Sequence, residues 1–69
     1  MADHEIVVGN IGTVYSGTSG REAHRLFRLY RYQSKLLQGR ASGEDVTWFK
    51  DYEVYAEYIG KLSIKENAQ

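Results

Sequence analysis

Sixty-nine residues with nine basic and nine acidic side chains give a chain of zero formal net charge, 42% hydrophobic and 13% aromatic, without cysteine or proline. That composition describes one folded domain and excludes disulfides, thiolate metal sites and, with only His4 and His24, a zinc site built from histidines alone. No apolar run approaches the roughly 18 residues of a membrane span, and Met1-Ala2-Asp3-His4-Glu5 lacks the basic start and apolar stretch of a signal peptide, so a cytoplasmic protein without a membrane partner is expected.

The first segment, Glu5-Ile6-Val7-Val8, is short and β-branched, and Thr13-Val14-Tyr15 is again strand-forming. Between them Gly9-Asn10-Ile11-Gly12 carries turn chemistry, which predicts a hairpin turning near Asn10 or one bent strand bulged at Gly9 or Gly12. Residues 1–4 are expected to fray.

Gly17-Thr18-Ser19-Gly20 closes this unit, and Ser19 with Glu22 forms a Ser-x-x-Glu capping box. In that motif the Ser19 hydroxyl accepts from the Glu22 amide while the Glu22 carboxylate reaches back to the Ser19 amide. A helix is predicted over 20–38, with Gly39 as its left-handed cap and Lys35 near its negative end. After a flexible connection, 39–43, the stretches 44–50 and 53–59 read as two strands about Asp51-Tyr52. Tyr52 is unfavourable where positive φ is needed, so a loop longer than two residues is an alternative. Residues 61–64 would extend the last strand, and 65–69 would form a frayed polar tail. The order is ββαββ: an α+β, two-layer domain in which one amphipathic helix packs on an antiparallel sheet of two hairpins.

At 100° per residue, Ala23, Leu26, Phe27, Tyr30, Ser34 and Leu37 share the side that meets the sheet. Leu29 and Leu36 lie round the edge of that arc, either sunk between the hairpins or free for a second interface. The remaining side carries His24 with Arg21, Arg25, Arg28, Arg31, Tyr32 and Lys35. This stripe belongs to a wider segregation: residues 21–40 hold six of the nine basic residues and one acid, whereas 44–69 hold six acids and three lysines. The neutral total conceals two local fields. Four of the five cations in the stripe are arginine, which suits planar contacts to phosphate or carboxylate, and Tyr32 can stack on a base or an arginine. A merely solvated face is the alternative.

In the second hairpin a two-residue turn sets Trp48 against Tyr55 and Phe49 against Val54, on opposite faces; a longer turn would set Trp48 against Val54. Trp48 is read as core or, if exposed, as an interface anchor with Tyr55 and Tyr58.

Catalytic chemistry finds no support. Glycines 9, 12, 17 and 20 match neither a P-loop nor a dinucleotide fingerprint. His24 stands among arginines without a carboxylate to orient it. Glu44-Asp45 and Glu53/Glu57 read as charged strand edges. No catalytic residue, metal or cofactor is expected, and the chain is read as non-enzymatic. A chain this small buries only about 60% of its unfolded surface, so a homo-oligomer, a dimer first, is expected.

The stretch 39–60, GRASGEDVTWFKDYEVYAEYIG, loosely resembles small uncharacterised proteins of tailed bacteriophages and prophages, without a named family. The resemblance implies an accessory protein that acts in the host cytoplasm by binding a host protein; it carries over no site residue. Binding of nucleic acid by the basic helix face, capture of a nucleotide-like anion at an oligomer interface, and a structural role in the virion are the competing readings.

Overall fold

The computed structural model describes residues 2–60. Strands β1 (His4–Val8) and β2 (Gly12–Gly17), helix α1 (Gly20–Leu36), and strands β3 (Val46–Lys50) and β4 (Glu53–Tyr58) follow in chain order. All pairings are antiparallel, and the hairpins join through β1 and β3 into one four-stranded sheet of order β2-β1-β3-β4. The fold is therefore ββαββ, with α1 on one face of the sheet.

Strand alternation selects the buried face. His4, Ile6 and Val8 of β1 stand beside Val46 and Trp48 of β3, and all five are buried. Ala23 and Phe27 of α1 close over them, and Ala41 completes the core from the loop after the helix. Ile6, Val8 and Val46 are fully buried, which contributes about 1.5–3 kcal/mol each. The opposite face carries Glu5, Val7, Thr47, Phe49, Val54 and Glu57. The fraying expected of residues 1–4 does not extend to His4, which opens β1 and is buried, nor to Asp3, whose amide donates to Asp51 Oδ1 at 3.0 Å.

The first turn is the hairpin alternative: β1 ends at Val8, and the Ile11 amide donates to its carbonyl at 3.1 Å. A bulge does occur, but between Ile6 and Val7, where Val14 is the extra residue of β2. The capping box is half formed. Ser19 Oγ accepts from the Glu22 amide at 3.1 Å, but the Ser19 amide donates to the Tyr15 hydroxyl at 3.2 Å. The Glu22 carboxylate turns instead to Arg25, which donates from Nε at 3.0 Å and also from Nη2.

The helix stops earlier than the sequence predicts. Leu37, not Gly39, takes the left-handed cap at φ 57°, and the Gln38 amide donates to the Gln33 carbonyl at 2.9 Å. The reason lies one turn back. Ser34 is fully buried; its hydroxyl donates to the Glu44 carbonyl at 2.6 Å, and its carbonyl accepts from Gly43 at 3.2 Å. These bonds draw the following loop under the helix and bury Ala41, which a helix running to Gln38 would prevent. Leu37, expected on the sheet side, is 55% exposed.

The second turn has two residues, Asp51 and Tyr52, with φ of 53° and 68°, so the longer loop is not used. Lys50 pairs Glu53 and Phe49 pairs Val54, after which a bulge makes Ala56, not Tyr55, the partner of Trp48. Tyr55 is the extra residue, and its ring still meets the Trp48 ring edge-on at 4.8 Å. The expected extension of β4 over 61–64 and the tail at 65–69 lie outside the described residues.

Candidate binding groove between the helix and the edge strand

Helix α1 packs on β1, β3 and β2 and leaves β4 open beside it. Its positions 24, 28, 31 and 35 recur at helical spacing and form the wall facing β4. The register that buries Trp48 turns Ala56 and Tyr58 toward the helix side of β4, and the bulge adds Tyr55. Two open depressions result. One, of ≈ 630 Å³, has Trp48, Tyr55 and Ala56 as floor and His24, Phe27, Arg28 and Arg31 as wall. The other, of ≈ 670 Å³, is lined by Tyr58 and by Arg25, Arg28, Leu29, Arg31, Tyr32 and Lys35. Arg28 and Arg31 border both, so the depressions form one groove along β4.

The groove is cationic and aromatic. Arg31 lies 6.0 Å from the centre of the Phe27 ring, and Lys50 Nζ lies 5.3 Å from that of Tyr55. His24 stacks on Trp48 with ring centres 5.9 Å apart and planes at 29°. Such contacts hold an arginine or lysine over a ring while its outer donors stay available. Among the described residues the one ion pair is Glu22–Arg25. That hydrogen bond holds the Glu22 carboxyl below its ordinary value and raises Arg25 above its own. Arg28, Arg31 and Lys35 have no carboxylate within ion-pair distance among the described residues.

The sequence-derived stripe is therefore divided. Arg28, Arg31 and Lys35 line the groove, with Tyr32 at its rim. Arg25 borders it but is committed to Glu22, and Arg21 is exposed at the first turn, away from it. Of the proposed anchors, Trp48 is 7% exposed and belongs to the core, so it offers only a ring to the groove floor. Tyr55 is exposed and Tyr58 half-buried, and both line the groove. Leu29 and Leu36 stand 42% and 43% exposed on the side of α1 turned from the sheet. The sequence sets His24 on the cationic side of the helix, four residues from Arg28, without marking it as a site residue, and it carries no signal for Ala56, whose place depends on the bulge.

Four of the acids lie away from the groove, whereas Glu53, opposite Lys50, stands on the helix side of the sheet at the start of β4. Glu5 and Glu57 point from the opposite sheet face, with the Glu5 carboxylate accepting from Thr13 Oγ1 at 3.1 Å. Asp45 and Asp51 are engaged by the Gly60 and Asp3 amides. Among the described residues no acidic, histidine or cysteine cluster suits a metal ion, and no helix is long and apolar enough to cross a membrane. Comparison with protein-family models, curated proteins and solved structures finds no match to this chain.

Proposed function

We propose that this chain is a small non-enzymatic binding module whose cationic groove takes an acidic surface of a partner protein. The observation that carries the reading is that Arg28 and Arg31 border both depressions over an aromatic floor, without a carboxylate partner among the described residues. Guanidinium groups in that setting favour bidentate carboxylate contacts. The resemblance of 39–60 to phage and prophage proteins supports a role in which the chain occupies a surface of a host protein in the host cytoplasm and alters its action. Homo-oligomerisation, as a dimer, is part of the proposal, with the exposed Leu36 as its contact and Leu29 at the rim that this contact shares with the groove.

The test is retention of bacterial proteins by the tagged chain, with and without nuclease, compared with an Arg28→Glu/Arg31→Glu variant. The expected result is a stoichiometric protein that survives nuclease and is lost with the variant. Retention unchanged by the double reversal overturns the groove as the site.

Nucleic-acid binding is the second reading, favoured by Tyr32, which stands 60% exposed at the cationic rim and can stack on a base. It requires affinity that falls with salt by roughly one log-log unit per phosphate neutralised. The sequence pI of ≈ 6.7 weighs against it, because dedicated nucleic-acid domains usually lie above about 9.

A further inference from the structure

This inference rests on the reading that the groove receives acidic protein, and it specifies how. We propose that an extended acidic segment of the partner adds to the free edge of β4 as a fifth strand, with its carboxylates turned to Arg28, Arg31 and Lys35.

β4 pairs with β3 on one side only, and among the described residues nothing pairs its other edge. An unpaired edge offers a row of backbone donors and acceptors to a further strand. Here the edge lies beside the cationic wall. His24 shares the depression at Tyr55 and Lys35 the one at Tyr58, so helix and strand run alongside in the same sense. From Arg28 to Lys35 the wall extends about 10 Å at the helical rise. Same-face side chains of an extended strand recur about every 6.8 Å, so two or three alternate carboxylates span it.

The opposite sheet face sets the intervening positions. Glu57 points there, and like charges on neighbouring strands repel. The fitting segment therefore alternates acids toward the helix with uncharged or basic residues away from it. The bulge at Tyr55 interrupts the edge, which favours a short segment over pairing with a long flat sheet.

Two other occupants fit worse. Residues 61–69 of this chain carry two lysines and one glutamate, which do not complement a cationic wall. A second copy pairing β4 to β4 about a two-fold axis would put both helices on one side of the joined sheet and bring the two cationic walls face to face.

The experiment uses the full chain labelled with nitrogen-15 and three seven-residue peptides. The first has glutamate at alternate positions with threonine and valine between. The second has the same composition with its glutamates adjacent. The third is the first with proline at a central position. Affinity is read by fluorescence anisotropy, and the contact by amide exchange and cross-strand nuclear Overhauser effects along 54–58. The alternating peptide is expected to bind at least about tenfold tighter than the other two, to slow exchange along β4, and to lose at least about tenfold with Arg28→Glu/Arg31→Glu. Those side chains are exposed, and an unchanged amide spectrum elsewhere verifies that the variant folds. Equal binding of all three acidic peptides, abolished by the double reversal, overturns strand addition and leaves the acidic-partner reading standing. Binding of a single-stranded oligonucleotide with no acidic peptide bound overturns both, as does binding of no probe at all.

Discussion

The indole N–H of Trp48 donates to Nδ1 of His4 at 3.0 Å, so the strand pair β1–β3 is joined by a side-chain bond inside the core as well as by its backbone ladder. With Nδ1 as acceptor, the His4 ring carries its proton on Nε2. The floor of the groove is thus a tryptophan held by a histidine behind it, with Phe27 and His24 against its faces. A ring fixed in this way presents one surface to the groove.

His4→Leu removes the acceptor and leaves the indole N–H buried without a partner. The expected loss is about 1–3 kcal/mol, read as a lower midpoint in urea, with a shift in Trp48 fluorescence. An unchanged midpoint would show that the indole finds a second acceptor.

Ser34→Ala should cost a similar amount, about 1–3 kcal/mol, because the Glu44 carbonyl loses the hydroxyl that satisfies it at 2.6 Å. The effect is local: amide exchange should quicken at 37–44, where the loop is drawn under the helix, more than along β1. Uniform quickening across the domain would argue that the loop and core open together.

Leu37 and Tyr52 hold left-handed backbone with exposed side chains, 55% and 86%. Glycine adopts that backbone without the steric cost, so Leu37→Gly and Tyr52→Gly should each stabilise the domain by about 1 kcal/mol in thermal unfolding. The sites stand at opposite ends of the second half of the fold and share no partner, so the gains should add. If Tyr52→Gly gives no gain, the tyrosine makes a compensating contact at the hairpin tip.

The Glu22 carboxyl titrates below its ordinary value because it accepts from Arg25. A depressed carboxyl contributes stability that is present above its unfolded pKa and is lost as pH falls through the folded one. Glu22→Gln should therefore flatten the acid side of the stability profile and leave the neutral side nearly parallel to the native curve. The pair lies at the surface, with the Arg25 and Glu22 side chains 62% and 40% exposed, so the difference should shrink with added salt.

Much of the architecture is legible from local pattern. The β-branched runs, the Ser19 cap and the 3.6-residue spacing of Ala23, Phe27, Tyr30 and Ser34 specify the order ββαββ, because each records a short-range preference of backbone or burial. The same spacing gathers Arg28, Arg31 and Lys35 on one side of α1, so the cationic wall can be read before any fold is known. The other wall of the groove cannot. It depends on which hairpin strand is left at the edge, on a bulge that sets Ala56 opposite Trp48, and on the early helix stop required by the buried Ser34. These are competitions between distant groups for one core, and their outcome is decided by packing and long-range hydrogen bonds rather than by the preferences of any short segment. The same packing makes Trp48 a core residue rather than an anchor and commits Arg25 to Glu22, so the residues by themselves supplied the cations and the tertiary structure decided which of them line the groove beside β4 without a carboxylate partner among the described residues.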